Sequence, residues 1–226
     1  MWRCSIVSRR GFDAIIGQEL AKRVLLRAVA EGRPAHAYLI VGSAGSGKAT
    51  AAMEFAKALN CERPDERGSC GECAICHAIE HRNFPDIMVW SPEKDKKNTT
   101  IEQMRAMRDM ARFAPMRARW KVNIIEQGDT LNEESASCIL KLVEEPPEYL
   151  VNILLYRNTA AVLPTTRSRC QMVRFTQVST SELAGRLTED FGADADEAAF
   201  LATFSQGRPG VAIELLRDSS FSEKRD

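Results

Sequence analysis

The chain has 226 residues, 44% of them apolar and 27% charged, with Lys+Arg and Asp+Glu balanced at 31 each. That length suits one large domain, or a medium one with a smaller companion. The even charge excludes bulk attraction to nucleic acid, so such contacts fall to a local patch or to partner subunits. No apolar run approaches the roughly 18 residues of a membrane span, and Met1–Val7 is too short for a secretory signal. The expected setting is the cytoplasm, with no membrane partner.

Ile16–Val29 places Leu20, Val24 and Ala28 at helical spacing with Leu25 and Val29 beside them, which predicts a helix with one buried face. Gly32, Arg33 and Pro34 end it. Tyr38–Val41 reads as a strand, and Gly42 to Lys48 follows at once in the G-x-x-x-x-G-K spacing of a phosphate loop. Ala51–Asn60 then supplies the helix that this motif requires. Glycines let successive N–H groups face phosphate oxygens at the positive end of that helix, and Lys48 would neutralise the β- and γ-phosphates. The candidate nucleotide set is Gly42, Gly45, Ser46, Gly47, Lys48, Ala49 and Thr50. Its weak point is Ala49, which stands where a Ser or Thr hydroxyl should hold Mg²⁺. Thr50 is one residue late, a rotation of about 100° on a helix. A glycine-rich turn that binds nothing is the competing reading.

Cys61, Cys70, Cys73 and Cys76 come next, two C-x-x-C steps with a fourth cysteine upstream. The cytosol disfavours disulfides, and four thiolates suit tetrahedral Zn²⁺ in a closed, structural shell. His77 and His81 are nearby alternative ligands, and free thiols or an iron–sulfur cluster are the other readings. Cys4, Cys138 and Cys170 are scattered and expected to pack as small apolar residues.

Asp86–Trp90 reads as a buried strand, and Ser91–Asn98 as a charged, solvated loop. Thr100–Gln103 has capping-box spacing and opens a helix to about Phe113. Lys121–Ile125 is a strand, and Asn132–Val143 a helix stopped by Glu144, Glu145, Pro146 and Pro147. Val151–Tyr156 and Gln171–Phe175 complete the strands. Their alternation with helices predicts an α/β fold, a mostly parallel sheet covered on both faces. Beyond Phe175 only helices follow, at Leu183–Thr188, Asp196–Phe204 and Pro209–Leu216. The expected division is therefore 1–177 for the α/β domain, with the cysteine module inserted at 61–77, and 178–226 for a small helical domain.

A nucleoside triphosphatase of this kind needs a metal-binding Asp and a water-polarising carboxylate after a second strand. Val122–Ile125 is followed by Glu126, Gln127, Gly128 and Asp129. Glu126 is one methylene longer than Asp, and Gln127 is an amide that cannot act as a base. Either these positions have lost turnover, or Asp129 is the working acid.

The order Gly17-Gln18, phosphate loop, four cysteines, Leu140–Pro147 (LKLVEEPP) and Ser168-Arg169-Cys170 resembles the bacterial DNA polymerase III clamp-loader family over essentially the whole chain. The resemblance implies an AAA+ module with a P-loop α/β domain and a small helical lid. Active gamma-type members end the loop Gly-Lys-Thr or Gly-Lys-Ser and the second strand Asp-Glu, whereas this chain has Ala49, Glu126 and Gln127. The first sensor position falls on Tyr156 or Arg157, with Asn158 close, and the lid arginine position falls on Gly210, with Arg208 two residues early. Four degraded positions are similar to the non-hydrolysing delta-prime type, for which ATP or ADP would bind weakly, without hydrolysis.

The resemblance further implies that Arg169 acts in trans as an arginine finger on a neighbouring subunit's γ-phosphate, Arg167 being the nearest alternative. Implied partners are gamma/tau and delta subunits and, through the complex, the sliding clamp and primed DNA. Lys141, Glu144 and Glu145 carry over weakly to subunit or DNA contact. Arg112, Arg117, Arg119 and Lys121, interleaved with Phe113 and Trp120, read as a solvated face before a nucleic-acid surface. The competing functions are an active gamma-type ATPase, a small-molecule kinase with a zinc-bound lid, and a zinc module reading nucleic acid. Family members usually continue into a helical collar domain, expected to be absent here because the chain stops at Asp226.

Overall fold

The computed structural model describes residues 9–93, 96 and 98–218. Cys4, and Lys94, Asp95 and Lys97 of the charged loop, lie outside the described residues. Helix α1 (Glu19–Glu31), strand β1 (Ala37–Val41), α2 (Lys48–Asn60), α3 (Ala74–Glu80), β2 (Ile87–Trp90), α4 (Ile101–Ala111) and β3 (Lys121–Ile125) come first. They are followed by α5 (Glu133–Glu144), β4 (Leu150–Tyr156), α6 (Pro164–Arg167), β5 (Gln171–Arg174), α7 (Thr180–Phe191), α8 (Ala195–Phe204) and α9 (Pro209–Arg217).

The five strands form one sheet in the order β2-β3-β4-β1-β5, with every pairing parallel. Strands β1, β3 and β4 are buried along their whole length. Period-two alternation divides their side chains between two cores. Tyr38, Ile40, Ile124 and Ile153 pack with Leu25 of α1 and Phe55 of α2 on one face. Leu39, Ile125 and Leu154 pack with Met104 of α4 and Leu142 of α5 on the other. Both faces are thus covered, as a parallel sheet requires.

Two expectations fail locally. Strand β2 is a sheet edge rather than a buried strand, and Val89 is 41% exposed. An apolar run of four residues does not say whether one neighbour or two will cover it. Leu20 does not join the buried face of α1 but is 70% exposed. Gln18 is left-handed, so the helix begins at Glu19, and its buried residues are Ala21, Leu25 and Ala28. Leu20 is one position, about 100° of rotation, off that stripe.

Helices α7–α9 build an apolar cluster of their own from Leu183, Leu187, Ala198, Leu201 and Ala212, joined by Ile16 and Val178. Three tethers join this unit to the sheet. Gln18 donates to Thr176 O at 2.6 Å and accepts from Thr176 N at 3.0 Å. Arg9 pairs with Asp190 at 2.7 Å and Glu189 at 2.9 Å, while Arg186 donates to Asp13 O at 2.9 Å. The third tether is at the phosphate loop. Among the described residues, no helix is long and apolar enough to cross a membrane.

Candidate functional site

The phosphate loop leaves β1 at Gly42, whose N–H donates to Tyr156 O of β4 at 3.1 Å. Gly47 caps α2 at φ +94, a left-handed value that a side chain would strain, and this turns the chain into the helix. Lys48 does not reach outward. Its Nζ donates to Gly42 O at 2.5 Å and Ser43 O at 2.7 Å. Burial pulls Lys48 down to about 8, with Asp129 opposing the shift and Arg157 reinforcing it. The Ser46 hydroxyl is buried and has no partner among the described residues. Ala49 packs beside the first core.

The loop is covered by α9. Gly210 N donates to Gly45 O at 2.7 Å, and Val211 lies so close that a Cβ on Gly45 would meet its Cγ2 at 2.7 Å. A Cβ on Gly210 would in turn stand 3.0 Å from Gly45 Cα and O. Arg208 caps α9 and donates through Nε to Ser205 O at 2.8 Å.

Past β3, Glu126 N donates to Trp90 O at 2.8 Å, and burial raises the Glu126 carboxyl. Gln127 is exposed and left-handed at φ 51. Both Asp129 oxygens accept from Arg157 N, at 3.0 and 2.8 Å. That carboxylate anchors the exit of β4. Asn158 accepts from Ala160 N and Ala161 N, so its side chain caps a turn. Tyr156 is buried.

Arg169 occupies the other end of the sheet. Tyr38 lies opposite Gln171 and Val41 opposite Arg174, so β1 and β5 run together toward the phosphate loop. Arg169 precedes Gln171 at the entrance of β5. From Tyr38 to Gly42 alone the chain rises about 13 Å, a gap that one side chain does not close. Arg169 is exposed, and its guanidinium donates from Nη1 to Thr165 O at 3.0 Å and pairs through Nη2 with Glu144 at 3.1 Å. Sequence reading left this contact out, because nothing local ties a helix end to a later turn. Lys141 is exposed on α5 near the same end.

The four clustered cysteines converge, with all their sulfurs within 4.8 Å of one another. The Cys61–Cys73, Cys70–Cys76 and Cys76–Cys61 separations are 4.0, 3.9 and 3.7 Å. A tetrahedral ion with metal–sulfur bonds of about 2.3 Å needs sulfurs about 3.8 Å apart, so the donor set fits Zn²⁺. Burial works against the Cys70 thiolate, but the backbone N–H groups of Glu72 and Cys73 outweigh it and bring the thiol down to about 6. The module hangs from the end of α2, where Cys61 is the cap. A buried network ties the two together. Lys57 donates to Glu54 at 2.7 Å and also to Glu80, and Ser69 donates to Glu54 at 3.1 Å. Cys138 is buried and Cys170 half-buried beside the second core, as small apolar residues would be.

The basic run is partly internal. Lys121 donates to Met110 O at 2.6 Å and Phe113 O at 3.0 Å, and Arg119 lies over the Trp120 ring at 5.6 Å. Phe113 and Met116 are exposed beside it.

The comparisons with known proteins agree with this geometry. A family profile described as "DNA polymerase III, delta subunit" matches residues 17–179. DNA polymerase III subunit tau of Bacillus subtilis is 32% identical over 93% of this chain and 38% of its own length. Subunit delta' of Pseudomonas aeruginosa is 37% identical over 60% of this chain and 42% of its own. The chain thus spans well under two thirds of these relatives. Among solved structures, the RuvB Holliday junction branch migration motor of Thermotoga maritima has TM-score 0.60 at 21% identity, covering 96% of this chain and 67% of that one. A gamma subunit-related protein of Thermotoga maritima has TM-score 0.55 at 22% identity, covering 90% and 75%. These two share the AAA+ fold. From the profile match and the tau identity together, the chain belongs to the DNA polymerase III clamp-loader family of AAA+ proteins.

Proposed function

We propose that this chain is a non-hydrolysing, delta-prime type subunit of the bacterial clamp loader, which supplies Arg169 in trans to the ATP site of an adjacent gamma-type subunit. The observation that carries this is the placement of Arg169 at the sheet end opposite its own phosphate loop. A guanidinium there serves a second subunit's γ-phosphate or none, and it can meet two phosphate oxygens at once. Several features support the absence of turnover by the chain itself. Ala49 offers no metal ligand and Gln127 no base, Asp129 is taken by Arg157 N–H, and Gly210 sits where a lid arginine would be. Lys48 spends donors on its own loop, so ATP or ADP binds weakly.

In this reading residues 178–226 are a lid over a domain of residues 1–177. Cys61, Cys70, Cys73 and Cys76 hold structural Zn²⁺, which cross-links the module and has no open position for chemistry. The partners are gamma/tau and delta subunits, and through them the sliding clamp and primed DNA, in the cytoplasm. A gamma-type ATPase is the second reading, favoured by the identity to tau.

Reconstitution with gamma-type subunits separates them. Arg169→Ala is expected to lower turnover at the neighbouring site by about 10³-fold or more, with no ATPase from this chain alone. Turnover by the isolated chain that Lys48→Ala abolishes would establish the second reading instead.

A further inference from the structure

Two motifs that are separate in sequence meet in space. Glu144 is the last residue of α5, which Pro146 and Pro147 prevent from continuing. The chain after it is fixed, with Glu145 N donating to Lys141 O at 3.2 Å and Leu150 N to Pro147 O at 2.9 Å. Leu142 and Val143 bury the preceding turn in the second core. A carboxylate therefore stands on a rigid element, 3.1 Å from the guanidinium of Arg169. The other hold on Arg169 is Thr165 O, a backbone acceptor in α6 that also receives the Ser168 hydroxyl at 3.0 Å.

We propose that Glu144 is the positioning residue of Arg169, an inference that rests on the trans role proposed above. An exposed arginine has a long, rotamer-rich side chain, and ordering it when subunits meet opposes catalysis by that amount. Glu144 and Thr165 O fix both ends of the guanidinium fork beforehand. They occupy two of its five N–H donors and leave the rest for a phosphate. Glu144 touches neither nucleotide nor reacting atom and acts through the arginine alone. Glu148, four residues on and exposed, forms no ion pair with Arg169 among the described residues and serves as the control.

The test is a double-mutant cycle in the assembly with gamma-type subunits, read as kcat and KM for ATP. Glu144→Ala is expected to lower kcat about two- to fivefold, the range of an exposed ion pair, with KM unchanged. Glu144→Gln keeps an acceptor oxygen and should recover part of the loss, and Glu148→Ala should have no effect. In an Arg169→Ala background, Glu144→Ala should change nothing further. An unchanged or higher kcat for Glu144→Ala overturns the proposal, as does an equal loss without Arg169, which would mark a merely structural role. If Arg169→Ala is itself silent, the trans reading falls and takes Glu144 with it. If only the Glu144 variants are silent, the trans reading stands.

Discussion

Lys48 shows how much a loop's own carbonyls can take from a functional side chain. It holds two of them and is pulled from 10.5 to about 8 by burial. A lysine depressed in the folded state binds fewer protons there than when unfolded between pH 8 and 10.5, so stability rises with pH across that window. Below pH 8 the cost of burying the charge is fully present. Lys48→Met removes that cost but also the donors to Gly42 O and Ser43 O, so its Tm at pH 7 should stay within about 2–4 °C of the parent's. It should also flatten the rise above pH 8, and a pH profile identical to the parent's would contradict the assignment. The missing hydroxyl at Ala49 is legible from spacing, because the phosphate-loop motif fixes which atom that position must offer, whereas the reading of Gln127 depends on where β3 ends. The Glu144–Arg169 contact is not legible, since it depends on where α5 and α6 end in space.

At the scale of elements, Asp86 governs a turn that composition does not reveal. Its carboxylate is buried at the entrance of β2 and accepts from Met116 N at 2.8 Å, Arg117 N at 2.7 Å and Ala118 N at 2.9 Å. Asp86→Ala leaves those donors without their acceptor and should cost about 3 kcal/mol, or roughly 6–12 °C in Tm. Asp86→Asn should lose less, because an amide oxygen still accepts. Thermal unfolding of the two variants checks both the size and the order. Strands β1, β3 and β4 are readable because mostly apolar runs, interrupted only by Lys121, Asn123 and Asn152, are what burial on both faces demands. Thr100 and Gln103 likewise form the reciprocal capping box that their spacing predicts. Helices α3 and α6 escaped because each is too short for a period to show. α3 starts from the sulfur of Cys73, which accepts from Cys76 N, so the cysteine cluster makes the helix.

Across the whole molecule, the segment from Arg9 to Asp13 links two regions far apart in sequence. On one side, Arg10 pairs with Asp65 at 2.7 Å, Phe12 N donates to Arg67 O at 2.8 Å, and Arg67 reaches Asp13 at 3.4 Å, all at the cysteine module. On the other, Arg9 and Arg186 bind this segment to α7. Loosening the module should then loosen α7. Removing metal from the full chain with a chelator is expected to speed hydrogen exchange in α7 while β3 and β4 keep their protection. Arg9→Ala with Arg186→Ala should do the same with the metal content unchanged. Unaltered exchange in α7 under chelation would show that the segment transmits nothing. No sequence pattern announces this link, whose parts are single charges and one backbone bond.

The contact between Gly45 and Gly210 has a consequence for any redesign of the phosphate loop or of α9. A side chain at Gly45 would be strained at φ +76 and would press into Val211, while one at Gly210 would require the Gly45 backbone to give slightly. A side chain placed on α9 at that point thus calls for a small concerted shift of helix and loop, which a swap confined to one position does not by itself supply.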